Sequence, residues 1–236
     1  MYIVVEGGDF AGKSSVIKGV LDHVKNTFDN HERLTSLSFP SKTSILGSQF
    51  RKGILPSMDN VLKDFSTYLV ITNMLSEWQL ACGDKLRGSG VVISDRSFYS
   101  TILYQFVKEG IPLKSLNSLK NPKHPRHQDF ILVMMAANLL APDIVIFIDA
   151  DSFAIRKRMS DRGMENYYDA SALDTAKMYR DFYSFCSSGD FDSVMGLCKT
   201  QYFQMKNNSL EDFSVIVNSI VKHLKKTNLF PISQNL

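Results

Sequence analysis

Apolar residues gather in five short runs, at 2–5, 35–39, 91–94, 144–148 and 200–205. Three of these, "YIVV", "VVIS" and "IVIFI", are apolar at almost every position. A strand with one wet face alternates apolar and polar residues, whereas a strand covered on both faces does not. Between the runs, apolar residues return every three or four positions over 13–28, 59–86, 98–108, 128–140, 152–162, 170–187 and 210–225, the period of a helix with one apolar stripe. Strand and helix alternate along the chain. The pattern therefore predicts an α/β fold of three layers, a five-stranded parallel sheet with helices on both faces. The apolar stretch 131–148 is long, but Asn138, Pro142 and Asp143 interrupt it. A membrane span needs about 20 apolar residues without a central charge, so helix, break and buried strand is the better reading. Pro122, Pro125 and a basic cluster mark 120–127 as an exposed loop.

The first strand runs into "EGGDFAGKSS", which neither a strand nor a helix interior would favour. Gly7, Gly12, Lys13 and Ser14 fit the spacing G-x-x-x-x-G-K-[ST], with a buried strand before and a helix after. The backbone N–H groups of Gly7, Gly8, Asp9, Phe10, Ala11, Gly12, Lys13, Ser14 and Ser15 can then surround the phosphates of a nucleoside triphosphate. Lys13 supplies a point charge at the β- and γ-phosphates. Ser14 offers a hydroxyl to Mg²⁺, and the helix N-terminus adds its partial positive charge. A Gly-rich turn that matches by accident would not also bring the lysine, the hydroxyl and both flanking elements. Asp9 is out of place beside bound phosphates. It needs a separate task, such as a substrate hydroxyl or the metal; the plain alternative is a turn hydrogen bond.

Two further segments follow strand ends, where open α/β sheets bind ligands. In "SDRSFYSTILYQ", Arg96 can fork onto a phosphate and Asp95 can hold Mg²⁺ through water. Ser100, Tyr104 and Gln105 lie on the helix that follows. A helix-capping aspartate with a surface arginine is the simpler reading of the same pair. After the fourth run come Arg156, Lys157, Arg158 and Arg162. On a helix, Arg158 and Arg162 share a face one turn apart, with Arg156 elsewhere. Such arginines can close over a transferring phosphoryl group; a solvated, ion-paired face is the plainer reading.

Composition changes this picture little. The 236 residues carry a formal net charge of +3 and no long basic stripe, which suits an anionic small molecule and gives no sign of a nucleic-acid polymer. The three cysteines, Cys82, Cys186 and Cys198, form no CxxC pair and read as reduced thiols of a cytoplasmic protein. The N-terminus opens on a strand, without a signal-peptide pattern.

Taken in order, "YIVVEGGDFAGKSS", "FPSKT", "DRSFYSTILYQ", "PDIVIFIDAD" with "RKRMSDRG", and "LEDFSVIVNSIVKHL" resemble the thymidylate kinase family of nucleoside monophosphate kinases over most of the chain. The resemblance implies a single P-loop kinase domain over 1–236, with an arginine-bearing lid at about 153–170 and an extended loop at about 110–128. It implies transfer of phosphate from ATP to a deoxynucleoside monophosphate, dTMP, with Mg²⁺ held by Ser14 and, in its outer shell, Asp95. Lys13 and the loop amides would hold the donor phosphates. Asp9 would meet the sugar 3′-hydroxyl, Arg96 and Lys42 the acceptor phosphate, and Tyr104 the sugar. Phe10 stands where some members carry an arginine, which points to Arg158 and Arg162 in the lid as the catalytic arginines. The family's thymine-contacting aromatic and arginine fall near Ile71 and Leu75; Phe65, Tyr68, Asn73 and Phe39 are the candidate substitutes. A homodimer is also implied, with no membrane partner. Three other readings use the same residues: a deoxynucleoside kinase with Glu6 or Asp95 as base, a nucleotide-dependent switch, and a P-loop module that binds without catalysis.

Overall fold

The five apolar runs become five strands: β1 (Tyr2–Glu6), β2 (Leu34–Ser38), β3 (Val91–Asp95), β4 (Ile144–Asp149) and β5 (Gln201–Lys206). They form one parallel sheet in the order β2-β3-β1-β4-β5. The computed structural model describes residues 1–41, 47–48, 63–82, 90–162, 171–197 and 200–226. Within these lie α1 (Lys13–Thr27), α2 (Lys63–Cys82), α3 (Phe98–Ile102), α4 (His127–Leu139), α5 (Ser152–Arg162), α6 (Ala172–Ser187), α7 (Asp190–Met195) and α8 (Leu210–Lys225). The expected second helix, 59–86, runs past the described residues at both ends. So do the C-terminal half of the lid segment and the tail after 226.

β1 is central because it is paired on both sides: Val5 lies opposite Asp95 of β3 and Ile146 of β4. Successive side chains of a strand point to opposite faces, and the sheet divides its core accordingly. Tyr2, Val4, Val92, Val145 and Phe147 pack with Phe98, Tyr99, Phe106, Phe130, Tyr179 and Phe182. Ile3, Val5, Ile93, Ile144, Ile146 and Ile148 pack with Val16, Val20 and Val24 of α1 and Ile216, Ile220 and Leu224 of α8. Burying the apolar side chains on both faces stabilises such a core by roughly 1.5–3 kcal/mol per large residue. The chain crosses from β3 over to β4 past β1. The carboxyl ends of these three strands therefore frame the crevice where a ligand binds.

Two departures from the expected elements bear on function. The helix expected over 98–108 is regular only through Ile102, and Leu103–Val107 forms a wider π-type turn. Such turns recur at functional sites, and this one carries Tyr104. The expected extended loop at 110–128 contains a 3₁₀ helix, Leu113–Lys120, which buries Leu116 and Leu119. Leu113, Leu116 and Leu119 recur every third residue, matching the three residues per turn of that helix. The basic loop after it is tethered by Arg126. Its Nε donates to Asp129 at 2.6 Å, its Nη2 to Thr67 of α2 at 3.4 Å, and its guanidinium lies 4.9 Å from the centre of the Phe106 ring. Among the described residues no helix is long and apolar enough to cross a membrane.

Candidate active site

The Gly-rich segment turns between β1 and α1 as its spacing requires. Gly7 has φ 148° and a Cβ there would strike the carbonyl oxygen of Ile148; Gly12 has φ 93° and a Cβ would strike the Asn207 side chain. α1 then begins at Lys13 with no side-chain cap and no acidic residue in its first turn. Its leading N–H groups and positive dipole end are thus left for an anion. The carbonyl side of the loop is gripped from below. Arg158 donates from Nη1 to the carbonyls of Phe10 at 2.9 Å and Ala11 at 3.1 Å, and from Nη2 to that of Asn207 at 2.5 Å. The side chain of Asn207 donates to Ala11 at 2.8 Å. Holding the carbonyls outward keeps the amides inward, where phosphate oxygens would sit.

Lys13 is buried and its Nζ donates to the carbonyl of Gly8 at 2.9 Å. Burial first, then the positive charge of Arg96, brings its pKa down to about 8 against the pull of Asp95, Asp9 and Glu6. An arriving polyphosphate would raise it again and hold the charged form. Ser14 donates to Asp95 Oδ2 at 2.6 Å. The other oxygen, Asp95 Oδ1, is buried with no hydrogen-bond partner among the described residues. An orphaned carboxylate oxygen beside a hydroxyl fits Mg²⁺, a hard cation that takes oxygen ligands and keeps waters.

Arg96 leaves the end of β3 with φ 72°, a left-handed conformation for a non-glycine residue. Its backbone N–H donates to Val5 at 3.0 Å. Its Nη2 meets Asp9 Oδ1 at 2.5 Å, and its Nη1 donates to Tyr179 at 2.8 Å and to Ser100 at 3.2 Å. Tyr104 donates to Asp9 Oδ2 at 3.2 Å, and its ring lies under Arg96, 5.5 Å from the guanidinium carbon. Burial works to raise the Asp9 pKa, but Arg96, Lys13 and the Tyr104 hydrogen bond outweigh it and hold the carboxyl below its usual value. The turn hydrogen bond considered for Asp9 is thus replaced by an ion pair across 87 residues of chain. Glu6, at the end of β1, has no exposed surface. It accepts from Ser97 at 3.0 Å, Ser100 at 2.7 Å and Tyr179 at 3.2 Å, and burial pushes its pKa up.

Asp9, Phe10, Lys13, Ser14, Asp95, Arg96, Ser100, Tyr104, Arg158 and Arg162 thus converge at one edge of the sheet. Arg162 stands 4.1 Å above the centre of the Phe10 ring. Ser15 is exposed on the first turn of α1, and Gln105 is half-buried on the π-type turn. The side chains of Phe39 and Tyr68 have no described hydrogen bond or ring contact with this cluster. Phe39 is buried in the same core cluster as Ile71 and Met74, and Tyr68 is exposed on α2. Lys42 and the side chain of Phe65 lie outside the described residues. Sequence reasoning did not anticipate Asn207, Tyr179 or the sealed state of Glu6. A polar residue directly after β5 was a usable signal for Asn207. Tyr179 gave none beyond its place on the buried side of a helix.

This arrangement defines the class: a P-loop α/β phosphotransferase with an arginine–aspartate pair facing the phosphate loop. The thymidylate kinase model matches residues 5–190, and the chain belongs to that family. It is 24% identical to the thymidylate kinase of Mesomycoplasma hyopneumoniae (strain J) over 210 residues, spanning 84% of this chain and 93% of the relative. It is 24% identical to a probable thymidylate kinase of Caldivirga maquilingensis over 169 residues, 72% of each chain. In three dimensions it is similar to the Ehrlichia chaffeensis thymidylate kinase, with TM-score 0.60, 16% identity, and coverage of 95% of this chain and 98% of that one. The Candida albicans thymidylate kinase gives TM-score 0.58, 15% identity and coverage of 99% and 95%. At such identities the structural likeness speaks for the fold.

Proposed function

We propose that the protein transfers the γ-phosphoryl group of ATP to dTMP, giving dTDP and ADP. The observation that carries the reading is the Asp9–Arg96–Tyr104 cluster facing Lys13 and Ser14 across the crevice. It pairs a phosphate-binding guanidinium with a carboxylate that accepts from hydroxyl and guanidinium donors. An acceptor phosphate is already an anion, so the transfer needs positioning and charge neutralisation rather than a base. In this reading the loop amides and Lys13 hold the donor phosphates. Arg96 draws in the acceptor phosphate, whose oxygen attacks the γ-phosphorus as the bond to the β–γ bridging oxygen breaks. Asp9 and Tyr104 seat the sugar. Arg162 reaches over the phosphate loop from the Phe10 ring. Ser14 would hold Mg²⁺ directly and Asp95 through water; the ion would neutralise charge on the transferring phosphates. The deoxynucleoside kinase reading loses support at Glu6, which is sealed behind three hydroxyls. A homodimer working in the cytoplasm is part of the proposal. The exposed apolar side chains of Leu80 on α2 and of Met135 and Leu139 on α4 favour the association.

The test is coupled ADP release with Mg·ATP and a panel of dTMP, dUMP, dCMP, dGMP, UMP and thymidine. Fast turnover with dTMP is expected. Turnover of thymidine alone would reassign the acceptor from phosphate to hydroxyl.

A further inference from the structure

We infer that Tyr179 is a positioning residue for Arg96, and that with Ser100 it forms a two-hydroxyl bridge from that guanidinium to the sealed carboxylate of Glu6. The inference rests on the reading of Arg96 as the acceptor-phosphate clamp. Tyr179 belongs to α6, 83 residues from Arg96 in sequence, and no motif marks it. Its ring is buried, tilted against Phe147 at 6.4 Å between centroids. Packing explains the ring. It does not explain the hydroxyl, which a buried site tolerates only with partners.

The direction of the bridge follows from counting protons. Each hydroxyl has one proton and two lone pairs. Ser100 donates to Glu6 Oε2 at 2.7 Å. The Tyr179 proton can point to Ser100, 2.7 Å away, or to Glu6 Oε2 at 3.2 Å. Both choices lie on the Glu6 side. In either case neither O–H bond is spent on Arg96, and the oxygen lone pairs are left for its guanidinium. Nη1 of Arg96 takes them, at 2.8 Å from Tyr179 and 3.2 Å from Ser100. Among the described residues Glu6 makes no hydrogen bond to Arg96; the two hydroxyl oxygens stand between them, and its charge also acts on the guanidinium through space. Asp9 takes one Nη2 donor. An arginine has five N–H donors, and the bonds to Tyr179, Ser100 and Asp9 take three of them. A flexible side chain leaving the sheet with φ 72° is thereby held in place beside Asp9 before a ligand arrives. Pre-ordering of this kind lowers the entropy lost when the anion binds.

The experiment compares Tyr179→Phe with Tyr99→Phe. Tyr99 is equally buried, and its hydroxyl pairs with Tyr202 at 3.1 Å, away from Arg96. Two readouts are taken: steady-state constants for dTMP and ATP, and ¹⁵N NMR of hindered rotation of the Arg96 guanidinium in the ligand-free protein. Tyr179→Phe is expected to raise KM for dTMP about tenfold, the loss of one hydrogen bond to a charged group. KM for ATP and kcat should stay within about twofold, and Arg96 should rotate faster. Tyr99→Phe should change neither readout. Unaltered Arg96 rotation in Tyr179→Phe overturns the inference whatever the kinetics. So does an equal effect of both variants, which would mean packing. If the wild type fails to use dTMP while Tyr179→Phe still frees Arg96, the substrate reading falls and the positioning role stands.

Discussion

The phosphate loop and helix α2 differ in how they recognise what they hold. The loop works through its backbone. Gly7 and Gly12 are required because any Cβ there collides with Ile148 or Asn207, and Lys13 and Ser14 must follow at fixed offsets. α2, where the family resemblance puts the base, works through side chains. Of its described residues, Ile71 and Met74 are buried and Tyr68 is exposed, while Asn73 Nδ2 is buried with no partner among the described residues. Backbone recognition of a phosphate has one local solution, so it leaves a motif. Side-chain recognition of a base has many, spread over distant elements. Variants should therefore hurt far more at the loop and its facing arginine than along α2.

The largest effects should fall on Lys13 and Arg96. Lys13→Ala removes the charge between the donor phosphates, and kcat/KM should drop about 10³-fold with the circular dichroism unchanged. Arg96→Ala should cost about 10²–10³-fold and act mainly through the acceptor. Near-normal turnover in either variant would break the assignment of this end as the chemical site.

Next come the two arginines of α5, which the sequence treats alike and the structure separates. Arg158 is taken up by three backbone carbonyls around the phosphate loop. Arg162 stacks on Phe10 and faces the crevice. Arg162→Ala should lower kcat about 10²-fold with the melting temperature held. Arg158→Ala should lower both, because the carbonyls of Phe10 and Ala11 each lose a charged donor, at about 1–3 kcal/mol for the pair of contacts. Thermal melts beside kinetics separate the two. Equal stability in both variants would mean that the Arg158 contacts do not hold the loop.

These contrasts show what was legible in the sequence. The three central strands were, because a strand buried on both faces is apolar throughout, as "YIVV" and "IVIFI" are. α8 was legible to its last residue, since Ser209 caps it by accepting from the N–H of Asp212 at 3.1 Å and an apolar stripe runs its length. Asp9 was legible as an anomaly, though its partner was not: the Arg96 ion pair depends on two strand ends meeting. The π-type turn under Tyr104 and the 3₁₀ helix at Leu113–Lys120 were not legible as such, since apolar periods of 2 and 3.6 mark strands and α-helices and neither of these turns. Tyr179 was not legible at all. A tyrosine on a buried helical face looks the same whether its hydroxyl meets an arginine or another tyrosine, as that of Tyr99 does.

Smaller effects test the side of the molecule away from the phosphates. Arg126→Ala removes an ion pair, a long hydrogen bond and a stacked ring at the base of the basic loop. The loss should be about 1 kcal/mol, or a fall of about 2–4 °C in melting temperature for a chain of this size. Turnover should be unaffected, because the Arg126 donors meet Asp129 and Thr67 rather than the crevice. A kinetic defect without a thermal one would bring the loop into the substrate site.

The smallest effect should come from Tyr68→Ala. The family resemblance makes Tyr68 a candidate base platform, but its side chain is 38% exposed and joins no described ring contact. A ring already held in place loses less freedom on stacking, and the buried positions of this helix include Ile71 and Met74 rather than Tyr68. KM for dTMP should therefore stay within about twofold, and the ratio of dTMP to dUMP turnover should not move. A tenfold rise in KM for dTMP with unchanged KM for ATP would reverse the comparison. It would mean that α2 keeps an aromatic platform three positions before the family's usual place, recruited from the surface when the nucleotide arrives.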